Sequence, residues 1–217
     1  MTANAYIVNE RCLDAFRVDY AGVFRTEVNS LQENMAAIIT ELPWVWRDSY
    51  LAASSRPTSI TRIQSGSFEY VYDYYSYLET TGVVAYNPKF EDRLVIAFGT
   101  STPTPRRRDD YRLRGWVGPT EKTFGAKYDK GHFIGHSIGG AVDRSEINVF
   151  VQRRHLNRGW SEEGKRYRAM EKYCVQHPGV FCFSRPIYDD QTSKPAFLEF
   201  GLVKESGELW VECFDNR

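Results

Sequence analysis

The sequence predicts an α+β fold, and three patterns predict it. Phe24, Val28, Leu31, Met35, Ile38 and Leu42 recur at steps of three and four, the period of an amphipathic helix over residues 22–42. Phe68, Tyr70, Tyr72 and Tyr74 alternate at period two, and Leu94–Gly99 is a short unbroken apolar run, so both read as strands. From Tyr128 onward, strand-like and helix-like pieces follow one another across glycine-rich turns. Pro43 is expected to stop the helix, because proline lacks the N–H that continues the ladder. The apolar stripe of that helix and the aromatic row after it are both expected in the core. The 217 residues suit one large domain or one domain with an extension. Residues 1–80 are expected as a helical N-terminal elaboration, and residues 81–217 as the main unit.

Composition excludes several classes. Hydrophobic residues at 42% and charged residues at 26% are ordinary for a globular chain, which argues against disorder. No apolar run approaches the roughly 20 residues that cross a bilayer, so no membrane association is expected. Met1–Ala5 has neither a basic nor an apolar stretch, so no signal peptide is read. The expected location is cytoplasmic as synthesised, or reached by a non-classical delivery route. Cys12, Cys174, Cys182 and Cys213 show no paired metal spacing and read as buried thiols; a Cys174–Cys182 bridge needs an oxidising compartment.

Net charge is zero, yet the charges are segregated. Residues 104–172 hold 16 Lys/Arg against 9 Asp/Glu, and the remainder holds 12 against 19. A positive region of this kind can face an anionic ligand on an otherwise neutral protein.

Two functional readings meet on residues 128–171. Gly135-His136-Ser137-Ile138-Gly139 matches the G-x-S-x-G elbow that exposes a nucleophilic serine between a strand and a helix. Its context argues against a serine esterase. Gly140 and Asp143 follow where a helix belongs, and only His155 and His177 lie downstream as bases. The second reading uses the whole stretch. Asp129–His132 ends a strand, Ile147–Gln152 is a second strand, and Asn157-Arg158-Gly159 leads to a helix that Ser161 can cap. This ββα order can hold one hard metal ion opposite one imidazole.

The ordered motif of Asp129-Lys130-Gly131-His132, Asn148 with Gln152, then Asn157 with Gly159 resembles the DNA/RNA non-specific endonucleases of the His-Me finger (ββα-metal) superfamily, in particular short bacterial members with glycines after the histidine. The resemblance covers roughly residues 85–200, with the metal finger at about 126–176. It implies a ββα-metal core with a mixed or antiparallel sheet, cleavage of DNA and/or RNA phosphodiesters, and Mg²⁺, Mn²⁺ or another divalent cofactor. It implies His132 as general base, Asn157 as metal ligand and Glu171 as the carboxylate that orders the metal's waters. Lys130 and Asn148 then belong to the catalytic group and Gln152 to the substrate contacts. The chemistry suits these types: a neutral imidazole can take a proton from water near neutral pH, and Mg²⁺ keeps most of its waters. Asp129 is expected to brace its strand rather than transfer protons, and His136 and His155 to be positional.

Two departures from the family pattern stand out. Lys130 replaces an arginine and loses the bidentate fork, so phosphate clamping is expected from Arg106, Arg107, Arg108, Arg112 or Arg114. Glu171 lies 14 positions after Asn157, about 21 Å along an unbroken helix, where many members have a spacing of eight. A bulge over residues 159–163, with Gly164 restarting the helix, brings Glu171 within reach; Glu162 and Glu163 are the alternatives. Expected partners are DNA and/or RNA, with an immunity or inhibitor protein if the chain is a bacterial toxin. A nucleic-acid-binding module without catalysis is the remaining alternative.

Overall fold

The computed structural model describes residues 6–8, 12–23, 31–103, 122, 124–141 and 146–217. The first half of the chain forms β1 (Tyr6–Val8), α1 (Tyr20–Val23), α2 (Leu31–Ala53), β2 (Ile60–Ser65), β3 (Phe68–Asp73), α3 (Tyr75–Thr80) and β4 (Arg93–Thr100). There follow β5 (Tyr128–His132), β6 (Val149–Arg153), α4 (Arg154–Asn157), α5 (Glu162–Gln176), β7 (Phe181–Ile187), β8 (Phe197–Val203) and β9 (Leu209–Asp215). Among the described residues, seven strands make one sheet in the order β1-β9-β8-β7-β4-β3-β2, while β5 and β6 pair only with each other. The large sheet is antiparallel except for β1 beside β9. The α+β expectation agrees with this architecture. The boundary expected at residue 80 does not coincide with a break in the sheet, because β2 and β3 lie beside β4 in the same ladder.

Every residue of β7 and β8 is buried, which requires cover on both faces. Side chains alternate across a strand, so each strand feeds two cores. One core joins Val95, Phe98, Phe183 and Val211 to Ile38, Leu42, Trp46 and Tyr50 of α2. The other joins Leu94, Phe200 and Phe214 to Phe133, Ile138 and Phe150 around the β5–β6 pair and to Tyr167, Met170 and Cys174 of α5. The sheet is therefore a wall with α2 on one side and the candidate functional elements on the other. All four cysteines are buried free thiols.

The helix runs through Pro43 to Ala53 instead of ending there, a correction to the expectation from sequence. Interior proline costs about 3 kcal/mol. Beyond it, Trp46 and Tyr50 extend the stripe of Ile38 and Leu42 at steps of four, and burying each contributes about 1.5–3 kcal/mol. Two aromatic anchors offset one proline. Phe24 and Val28 lie outside the described residues.

Buried charges tie the N-terminal half to the sheet. Tyr20 donates to Glu199 at 2.5 Å, Arg185 pairs with the same carboxylate at 2.7 Å, and the Trp46 indole donates to Tyr20 at 3.0 Å. Trp46 also packs on the Phe183 ring at 4.5 Å between centroids. Trp46→Ala is expected to lower stability by about 3–5 kcal/mol, read from urea-denaturation midpoints.

Candidate active site

The β5–β6 pair sets the first part of the site. His132 lies opposite Val149 and Asp129 opposite Gln152, with His132 at the end of the ladder. Beyond it the chain leaves the pair as a loop, Phe133–Ala141, containing a single 3-10 turn at His136–Ile138. Asn148 holds that loop in place. Its Oδ1 accepts from Ile134 N at 2.8 Å, and its Nδ2 donates to the carbonyls of Ile134 at 2.9 Å and Ala141 at 2.8 Å. The Phe133 ring stacks on Phe150 at 4.2 Å, packing the loop onto the strand pair.

A break between two helices supplies the second part. α4 ends at Asn157, Gly159 takes a left-handed φ of 68°, and Ser161 accepts from Gly164 N at 3.0 Å to cap α5. A Cβ on Gly164 would sit 2.4 Å from the His155 carbonyl and 2.9 Å from Gly159 Cα, so the two helices meet closely only because position 164 is glycine. The expected interruption is present, but the helix restarts at Glu162 rather than Gly164. Restarted at Glu162, α5 brings Glu171 to the cavity that His132 of β5 also lines.

His132, Gln152, Asn157 and Glu171 line one cavity of about 220 Å³, together with Gly135, His136, Ser137, Tyr167 and Arg168. Glu171 is only 7% exposed, and burial raises its carboxyl pKa against the opposing pull of Arg168. Arg168 pairs with Glu171 Oε2 at 2.7 Å and donates its second nitrogen to the Asn157 carbonyl oxygen. The other oxygen, Oε1, fits against Gly135, where an added Cβ would approach to 2.7 Å. Burial, with Glu171 nearby, holds the Tyr167 hydroxyl protonated far above its ordinary range.

Asp129 organises the rim. It accepts from Arg158 at 2.7 Å, from Arg154 at 2.9 Å and, at the long limit of a hydrogen bond, from the Asn157 amide at 3.5 Å. The bond to Nδ2 leaves the Asn157 amide oxygen for other partners. Burial pushes the Asp129 carboxyl up, but Arg158 and Arg154 outweigh it and hold it below its ordinary value.

The structure places the remaining expected residues as follows. Asn148 is fully buried and spends its carboxamide on the loop backbone, so it braces the site rather than lining it. Lys130 does not line the cavity either. Glu162 is 79% exposed and paired with Lys165, and Glu163 lines a separate recess with His155 and Asp215. His136, expected as positional, lines the cavity. Arg106, Arg107, Arg108, Arg112 and Arg114 lie outside the described residues. Ser137 sits in the middle of the 3-10 turn His136–Ile138, which Gly139 at φ 96° ends, rather than at a strand-to-helix elbow. Arg168 escaped the sequence reading, although its place three residues before Glu171 on one helix was a usable signal.

No group of three or more His, Cys, Asp or Glu that could hold a metal occurs among the described residues. The cavity instead offers oxygen donors of two kinds, the Asn157 carboxamide and the Glu171 carboxylate. That set fits a hard divalent cation that keeps most of its water, and not one that needs a complete protein cage. The glycine cradle under Glu171 keeps one carboxylate oxygen clear of any side chain at position 135.

Asn148→Ala leaves two backbone carbonyls and one N–H without their partner. It is expected to cost about 2–4 kcal/mol by urea titration and to speed amide exchange at Ile134. For Asp129 the depressed pKa gives stability that is present above the ordinary carboxylate pKa and lost as pH falls through the folded value. Asp129→Asn is therefore expected to trail the parent protein by a constant margin at neutral pH, and the gap in melting temperature should close below about pH 4.

No family model and no curated protein matches the chain. Among solved structures, a protein titled extracellular endonuclease is similar over 75% of this chain and 80% of its own, at 13% identity and a TM-score of 0.36. One titled extracellular nuclease is similar over 76% and 87%, at 11% identity and a TM-score of 0.31. Likenesses this shallow carry nothing over to this chain.

Proposed function

We propose that the protein is a metal-dependent endonuclease that hydrolyses DNA and/or RNA phosphodiesters with little base preference. One observation carries the reading: His132, Asn157 and Glu171 come from three separate elements, β5, α4 and α5, and line a single cavity. The cation this donor set suits is Mg²⁺ or Mn²⁺, with Asn157 supplying an amide oxygen and Glu171 holding its waters. Bound there, such an ion would supply positive charge for the phosphate and for the departing 3′-oxygen.

The remaining steps belong to the protein. His132 takes a proton from the attacking water, the general-base task that imidazole side chains commonly perform. Asp129 orients the Asn157 amide, and Asn148 keeps the loop after His132 on the strand pair. Gln152 contributes a buried carboxamide to the wall. The excess of Lys/Arg over residues 104–172 supports a polyanionic substrate, and Arg106–Arg108, Arg112 and Arg114 are the candidate phosphate contacts there. Contacts to phosphate carry no sequence information, hence the weak base preference. If the chain is a bacterial toxin, the cell that makes it needs an inhibitor protein to cover this cavity.

Plasmid DNA and single-stranded RNA, incubated with and without EDTA, test the proposal. Cleavage is expected with Mg²⁺ and is expected to stop on chelation. His132→Ala is expected to lower the rate about 10²–10⁴-fold with Mg²⁺ affinity unchanged, whereas Asn157→Ala is expected to lower both. Undiminished cleavage in His132→Ala would overturn the assignment. Metal and nucleic-acid binding with no cleavage by the parent protein would mark a binding module instead.

A further inference from the structure

We propose that Arg168 is a resident counter-ion for Glu171, displaced when a divalent cation binds, and that the displaced guanidinium then contacts a substrate phosphate. The inference rests on the reading of Glu171 and Asn157 above and deepens it. It starts from an electrostatic problem. A carboxylate that is 7% exposed is costly to bury unless a positive charge stands beside it. Arg168 stands there, 2.7 Å from Oε2, and its second nitrogen bonds the backbone carbonyl of Asn157. One side chain thus holds both of the residues proposed to bind the cation, and it carries the charge the cation would bring.

Arg168 is also built to leave. Its side chain is 50% exposed while its partner is 9% exposed, so the guanidinium can rotate toward solvent with little packing to break. A cation at Glu171 removes the attraction that holds Arg168 and adds repulsion at short range. The side chain that moves already lines the cavity, and no other arginine or lysine does so among the described residues. Lys130 on β5 does not line the cavity. A guanidinium offers two parallel N–H donors to a phosphate, which a lysine cannot. The fork at this cavity comes from α5.

The test separates the two halves of the inference from each other and from the underlying reading. Mg²⁺ affinity is measured by calorimetry at pH 8 on the parent protein, Arg168→Met, Arg168→Lys, Glu171→Gln and the Arg168→Met/Glu171→Gln pair. Arg168→Met, freed of the competitor, is expected to bind Mg²⁺ about tenfold more tightly and to gain more melting temperature from Mg²⁺ than the parent. Arg168→Lys keeps the charge and is expected to bind Mg²⁺ like the parent, which guards against a folding defect in the methionine variant. Unchanged or weaker Mg²⁺ binding in Arg168→Met overturns the counter-ion role. Oligonucleotide affinity is then read by fluorescence anisotropy with Mg²⁺ in the His132→Ala background, where cleavage is suppressed. Both Arg168 variants are expected to lose about tenfold, and no loss overturns the phosphate contact. If Glu171→Gln leaves Mg²⁺ affinity intact, the reading of Glu171 fails and the inference fails with it. If Arg168→Met tightens Mg²⁺ only where Glu171 is present, the displacement stands even in a protein that cuts no nucleic acid.

Discussion

The architecture of the cavity follows from one constraint, a carboxylate held almost out of water. Glu171 sits near the middle of α5, on the face that also carries Tyr167, Met170 and Cys174 into the core. A charge on that face is stable only with a partner close by and room beside it. Arg168 supplies the partner from the preceding turn, and Gly135 supplies the room. Moving any of the three would leave the carboxylate unpaired or without space.

Two other polar side chains place the surrounding backbone. Asn148 closes the loop after His132 against β6, using a carboxamide that is fully satisfied and therefore unavailable for chemistry. Asp129 does a comparable job outside, gathering Arg154, Arg158 and the Asn157 amide on one carboxylate. These braces act through geometry: they determine where the imidazole and the amide sit. The sheet behind them matters because its second core anchors Phe133, Phe150 and Tyr167 on the same side as the cavity. α2 closes the opposite face, so the site rests on a wall that is packed from both directions.

Much of the site was legible because local order carries it. A histidine ending one strand, a glutamine on the next and an asparagine entering a helix leave a recognisable trace in the chain. Glu171 was legible only with a break in the helix, and Gly159 and Gly164 signalled that break. The backbone partners of Asn148 were not legible, because a buried asparagine looks the same in sequence whether it meets a ligand or a backbone. Lys130 shares a strand face with His132, two positions on, yet does not line the cavity, because His132 ends the ladder beside the loop. Pro43 was read as a helix end because the local cost is visible in the sequence, while the aromatic burial that offsets it depends on the partner sheet.

The sequence by itself determined the periodicities, the turn positions and the order of polar residues over 128–171, since these depend on neighbours a few positions away. Which strands pair, which faces are covered and which charges meet were decided only by the tertiary structure. Glu171 shows the physical reason. Its environment is made by Gly135 from a distant loop and by Arg168 from its own helix, and burial turns that proximity into an electrostatic demand that residue order alone does not express.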